Sequence, residues 1–146
     1  MKFLVINGPN LNLLGRREPD IYGKRDYAAL CAHVKAAAAA EGIEIGIMQT
    51  NHEGVIIDAI QDAIGKYDGI VINPAAYTHT SIAIADAIAA VGIPTAEVHL
   101  SDVDTREDFR RISFVTPVCA LRVKGLGFDS YSKAISDLAT YIRAKS

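Results

Sequence analysis

Apolar residues fall into short, nearly unbroken runs separated by longer stretches in which they recur every third or fourth position. The short runs are rich in Val and Ile, as buried strands are, and predict strands over 3–6, 44–49, 69–73, 95–99 and 118–123. The stretches between them read as helices. Tyr27, Leu30, Cys31 and Val34 share one stripe, with Asp26 as an N-cap and the alanines at 36–40 as strong helix formers. Ile57, Ile60 and Ile64 form a second stripe behind Asn51. Ile84, Ile88 and Val91 form a third behind Thr80 or Ser81, stopped by Gly92 before Pro94. A short helix is expected around 106–111, and a last one presents Tyr131, Ile135, Leu138 and Ile142.

Five β-α units whose strands are apolar on both sides predict an α/β fold: a parallel sheet with helices on both faces. The flavodoxin-like strand order is the common way to wind five strands. No repeat, low-complexity tract or linker divides the chain, so residues 1–146 are expected to form a single domain. Such a length buries ~70% of the surface that the unfolded chain exposes.

Charge narrows the range of partners. The 15 basic and 17 acidic residues are evenly scattered, for a formal charge of -2. That distribution predicts no basic face for a phosphate backbone, and hence no nucleic-acid partner. No uninterrupted apolar run approaches the ~20 residues needed to span a bilayer, so no membrane association is expected. The opening apolar run breaks at Asn7-Gly8-Pro9, too early for the core of an export signal. Cys31 and Cys119 lie in apolar surroundings, distant from each other in the sequence, and read as reduced core residues of a cytoplasmic protein.

In an open parallel sheet, ligands bind beyond the carboxyl ends of the strands. There the first strand exits into Asn7-Gly8-Pro9-Asn10, the third into Asn73-Pro74 with His79 shortly after, and the fourth through Glu97 and His99 into Leu100-Ser101. In the flavodoxin order these three strands are neighbours, and their exits share one crevice. The connection from Pro9 to Arg25 runs about 17 residues, beyond the ~12–15 usual for a loop without a role, and brings Arg16, Arg17 and Tyr22 to the same edge.

Each feature also has a plain structural reading. Asparagine after a strand is a common turn former, a histidine ending an apolar strand is often a satisfied core residue, and Arg17 and Tyr22 could be solvated loop residues. For His99 the balance is altered by Glu97, which points to the same side of the strand two residues earlier and can bind the imidazole. His33 reads as an exposed helix residue and His52 as a capping or packing residue.

Several familiar sites have no support. The first turn lacks GxGxxG, GxxxxGK[ST] and a Ser/Thr-rich flavin-phosphate loop, and no GxSxG elbow is present. No HxH, HExxH or carboxylate cluster occurs at metal spacing. Neither a metal nor an organic cofactor is therefore expected.

Six ordered blocks carry a resemblance. Ile6-Asn7-Gly8-Pro9-Asn10-Leu11, Gly15-Arg16-Arg17-Glu18-Pro19 through Tyr22-Gly23, Gln49-Thr50-Asn51-His52-Glu53-Gly54, Asn73-Pro74 with Tyr77-Thr78-His79-Thr80-Ser81, Glu97-Val98-His99-Leu100-Ser101 and Arg106-Glu107-Asp108-Phe109-Arg110 resemble the type II 3-dehydroquinate dehydratases. The similarity runs nearly end to end and includes Gly125-Leu126-Gly127 and Tyr131.

The resemblance implies a flavodoxin-like fold and loss of water from 3-dehydroquinate, a small anionic cyclic substrate, through an enolate. By position, Tyr22 is expected as the base at C2 with Arg17 lowering its pKa, and His99 as the acid for the C1 hydroxyl with Glu97 orienting it. Asn10 is expected to hold a water against the enolate oxygen. Asn73 and the backbone amides of Leu100 and Ser101 would bind the carboxylate, and His79 and Arg110 the ring hydroxyls. Asp86 matches a residue that reaches a neighbouring subunit's site, in a family that assembles as trimers packed into a dodecamer. The chain departs from the family pattern at Ala75, where glycine is usual, at Ala85, where arginine is often found, and at Ile112, where histidine is common.

The chemistry suits these residue types. A phenol with pKa about 10 is a poor base at neutral pH unless a cation favours its phenolate, and an arginine supplies a permanent one. A histidine donates a proton to a leaving hydroxyl only if a partner keeps it charged. Two other readings of the scaffold stand beside this one: a binding or signalling domain without catalysis, and a cofactor-free lyase acting on a different cyclic hydroxy acid. A receiver-type signalling domain would need an acidic cluster after the first strand, and Asn7-Gly8-Pro9-Asn10 offers none.

Overall fold

A computed structural model describes residues 1–16 and 25–146. The runs of β-branched residues pair as a five-stranded parallel sheet of β1 (Lys2–Asn7), β2 (Glu44–Gln49), β3 (Gly69–Asn73), β4 (Thr95–His99) and β5 (Leu121–Lys124), in the order β2-β1-β3-β4-β5. This is the flavodoxin-like order, and it sets β1, β3 and β4 side by side. The helices are α1 (Tyr27–Ala40), α2 (Glu53–Asp62), α3 (Ile82–Val91) and α4 (Asp129–Ala144).

Side chains alternate across a strand, so a sheet buried on both faces needs apolar residues at successive positions. In β1, Phe3 and Val5 join Val71, Leu30, Val34, Tyr131, Ile135 and Leu138 in the layer under α1 and α4. Leu4 and Ile6 face the other way, joining Ile70, Ile72, Ile56, Ile60, Ile84 and Ile88 under α2 and α3. The caps follow the sequence. Asp26 accepts from the Ala29 amide at 2.9 Å, Ser81 Oγ accepts from the Ile84 amide at 3.0 Å, and Gly92 closes α3 with φ 69°. Among the described residues, no helix is long and apolar enough to cross a membrane.

Several local expectations are corrected. The fifth strand starts at Leu121, not at 118, because Thr116–Val118 form a 3₁₀ turn whose Pro117 has no N–H for a sheet ladder. The helix expected around 106–111 is a single 3₁₀ turn, Asp108–Arg110. The N-cap of α2 is His52, with no side-chain cap bond. Asn51 instead accepts from the Asn10 amide and from Gln49 Nε2, each at 3.1 Å. Because α2 ends at Asp62, Ile64 falls off the apolar stripe and is exposed, while Ile56 is buried in its place. His33 is not an exposed helix residue: it is half-buried between α1 and α4, 2.6 Å from Ser132 Oγ and 3.5 Å from Asp129. Both cysteines are free and half-buried, not fully enclosed in the core.

Candidate active site

The exits of β1 and β3 are joined edge to edge. Asn7 and Asn73 are register partners, and the Gly8 amide donates to the Asn73 carbonyl at 2.8 Å. A Cβ at Gly8 would stand 2.6 Å from the Pro74 carbonyl oxygen, so only glycine allows the two turns to approach this closely. Beyond these turns and the end of β4 lies a cavity of about 490 Å³. Of the residues expected at the site, Asn10, Asn73, His79, His99, Leu100, Ser101 and Arg110 border it.

His99 and Glu97 form the buried pair anticipated from their spacing, with His99 Nε2 2.5 Å from Glu97 Oε2. Three hydroxyls complete the carboxylate's shell. Thr116 donates to Oε1, Ser113 reaches Oε2 at 3.2 Å, and Thr78 reaches Oε2 at 3.4 Å. Burial pushes the Glu97 carboxyl upward, but the His99 hydrogen bond and charge, the Thr116 hydroxyl and the Arg122 charge outweigh it and hold the pKa below the usual carboxylate value. With Nε2 engaged, Nδ1 is the ring nitrogen left for chemistry. The Cys119 thiol is pushed up to about 12 by burial and then by the Glu97 charge, which leaves it no nucleophilic character near neutral pH.

Asn73 is held on both ends of its amide. Oδ1 accepts from the Ala75 backbone N–H at 3.1 Å, and Nδ2 donates to the Tyr131 hydroxyl at 2.9 Å. Tyr131 in turn donates to Asn7 Oδ1 at 2.7 Å, and Asn7 Nδ2 donates to the Tyr27 hydroxyl at 3.3 Å. Burial raises the pKa of Tyr131 and takes that of Tyr27 to about 12, so both phenols stay protonated donors. Neither hydroxyl was legible as part of the site, because both tyrosines sit on the apolar stripes of their helices.

The rest of the rim carries a histidine and two arginines. His79 Nδ1 donates to the Ile112 carbonyl at 2.7 Å, and Arg110 Nε donates to Glu107 at 2.7 Å. Arg106 also borders the cavity, a position that only its place in the Arg106–Arg110 block had marked. The segment 100–104 is braced from β5 and the turn after it: the Gly127 amide donates to the Leu100 carbonyl at 2.9 Å, and Lys124 pairs with Asp102 at 3.0 Å and with Asp104. Ala75 adopts φ 53°, a left-handed conformation that favours glycine.

Asp86 is exposed on α3 and does not border this cavity. Tyr22 and Arg17 lie outside the described residues. Among the described residues, no group of three or more His, Cys, Asp or Glu side chains is placed to hold a metal ion.

A flavodoxin-like sheet with a buried His–Glu pair, an anchored asparagine and two arginines at its carboxyl edge defines an α/β enzyme acting on a small polar molecule. The Dehydroquinase class II family matches residues 1–139, and the chain belongs to that family. It is 48% identical over 146 residues to a 3-dehydroquinate dehydratase of Gloeobacter violaceus, covering 100% of this chain and 91% of that one. To the 3-dehydroquinate dehydratase of Clostridium acetobutylicum it is 53% identical over 138 residues, covering 94% and 96%. Among solved structures, the type II dehydroquinase of Butyrivibrio crossotus superposes with a TM-score of 0.92 at 51% identity, covering 95% of this chain and 97% of that one.

Proposed function

We propose that the chain removes water from 3-dehydroquinate to give 3-dehydroshikimate, with Tyr22 as base and His99 as general acid. The observation that carries this reading is the buried His99–Glu97 pair on the wall of a cavity that also presents Asn73, Arg106 and Arg110. Tyr22, as phenolate, takes a proton from C2, and the electrons of that C–H bond form the enolate of the C3 ketone. The enolate then re-forms the ketone, the C1=C2 double bond forms, and the C1 hydroxyl leaves as water with a proton from His99.

Each remaining residue has a place in this scheme. Glu97 supports the imidazolium during the donation, and Arg17 favours the phenolate of Tyr22. Asn10 holds a water against the enolate oxygen. Asn73 and the backbone amides of Leu100 and Ser101 receive the carboxylate, while His79 and Arg110 bind ring hydroxyls. Asp86, exposed and away from the chain's own cavity, serves a neighbouring subunit in trimers that assemble into a dodecamer. The whole chain acts as one catalytic domain, in the cytoplasm, with no metal or organic cofactor. The step belongs equally to aromatic biosynthesis and to quinate breakdown.

Adding 3-dehydroquinate should produce the ultraviolet absorbance of a conjugated enone. Tyr22→Phe should abolish it while leaving ligand binding within a few fold. No enone from the unaltered protein would remove the proposed activity, and full turnover in Tyr22→Phe would remove the tyrosine from the mechanism.

A further inference from the structure

The hydrogen bonds beneath Asn73 have a direction, and one backbone atom identifies it. The Ala75 backbone N–H can only donate, so the Asn73 atom 3.1 Å from it must be the oxygen. The amide nitrogen then faces Tyr131, whose oxygen accepts at 2.9 Å and whose single proton goes to Asn7 Oδ1 at 2.7 Å. Turning the Asn73 amide over would set two donors against each other at Ala75 and would draw the Tyr131 proton away from Asn7. Water has little access to repair such a flip, since Asn7 and Tyr131 are fully buried and Asn73 is 4% exposed.

A phenylalanine would fill the same space in the apolar layer. It would leave a buried N–H on Asn73 and a buried acceptor on Asn7 without partners, a cost the hydroxyl avoids. Asn73 spends one of its two N–H groups on Tyr131, and the other is the donor left for the cavity that Asn73 borders.

We propose that Tyr131 is a positioning residue: through the Asn73→Tyr131→Asn7 chain it fixes the Asn73 amide so that the cavity is offered a hydrogen-bond donor, the polarity required to receive a negatively charged oxygen. The proposal rests on the reading of the cavity as the site for a cyclic carboxylate.

Tyr131→Phe keeps the ring and deletes the oxygen. It is expected to raise KM for 3-dehydroquinate by about 10–100-fold, the range for one hydrogen bond to a charged group, while kcat changes by less than about threefold. The dissociation constant of 3-dehydroshikimate should rise by the same factor, and that of the ring analogue lacking the carboxylate should not move. In an Asn73→Ala background, Tyr131→Phe should add nothing further, because the group it positions is gone. Asn7→Ala leaves the Tyr131 ring intact but removes the acceptor that orients its proton, and should weaken carboxylate binding in the same direction. It provides the test should Tyr131→Phe fail to fold.

Unchanged KM and product binding in Tyr131→Phe, equal weakening of the analogue without a carboxylate, or a full additive loss on top of Asn73→Ala would each overturn the role. Titration with the carboxylate ligands does not depend on turnover. A protein that binds them in the expected order but forms no enone would fail the proposed activity and leave the Tyr131 role standing.

Discussion

Replacing Glu97 by glutamine keeps the shape of the side chain and removes its charge. Thr116 and Ser113 can rotate their hydroxyls to accept from the new amide N–H, so the glutamine oxygen stays on His99 and the ring is not expected to turn. What disappears is the ionic part of a contact of 2.5 Å between side chains that are 5% and 0% exposed, where solvent screens little. A hydrogen bond to a charged group exceeds a neutral one by about 1–1.5 kcal/mol, so the imidazolium loses about that much support. With His99 as the proposed acid, this corresponds to a downward shift of the alkaline limb of the kcat–pH profile by about one unit, and on that limb to a kcat about tenfold lower.

Steady-state rates from pH 5 to 10, followed by enone absorbance, provide the measurement. An alkaline limb that stays in place, or moves upward, would show that the Glu97 charge does not sustain the acid. Stability supplies a second readout. The folded carboxyl titrates below its usual 4.5, so its contribution to stability is present above that pH and is lost as the pH falls through the folded value. Glu97→Gln has no such term. The urea midpoints of the two proteins should therefore converge as the pH is lowered from 6 to 3.

Two further outcomes test the surroundings of the site. Ala75→Gly relieves a left-handed strain of about 1–2 kcal/mol at a backbone entropy cost of about 0.5–1 kcal/mol, so urea unfolding should show a net gain of up to about 1.5 kcal/mol; a loss would mean that the Ala75 methyl packs better than its φ suggests. Cys119, with its thiol at about 12, should escape a brief maleimide pulse at pH 8 in the native protein and react in urea, as peptide mapping would show, whereas native labelling would mean that the turn ahead of β5 opens locally.

The sheet was legible because burial on both faces leaves near-continuous apolar runs. The strands expected over 44–49, 69–73 and 95–99 are β2, β3 and β4 residue for residue. The pattern misleads where apolar residues pack outside a strand. Val118 and Cys119 prolong the apolar run of β5 toward the N-terminus, yet they pack against the core from a turn that Pro117 helps to set. The His99–Glu97 pair was visible from the alternation of one strand. The hydroxyls of Thr78, Ser113 and Thr116 around it come from other segments, and no local pattern points to them. The burial of His33 is hidden for the same reason, since the packing of α1 on α4 is a tertiary fact. Tyr131 combines both cases: its ring follows the helical period, while its oxygen serves a partner on the first strand.

That partner is 124 residues away. During synthesis Asn7 emerges well before Tyr131, so the wall that holds Asn73 cannot be completed until α4 has left the ribosome and docked. Before then, Phe3, Val5 and Val71 have no cover from α4, and the amides of Asn7 and Asn73 lack the hydroxyl they share. Contacts so distant in sequence close late and slowly. A nascent chain that still lacks α4 is consequently a poor enzyme, and termination ahead of that helix yields a sheet with an open apolar face that chaperones and proteases can recognise.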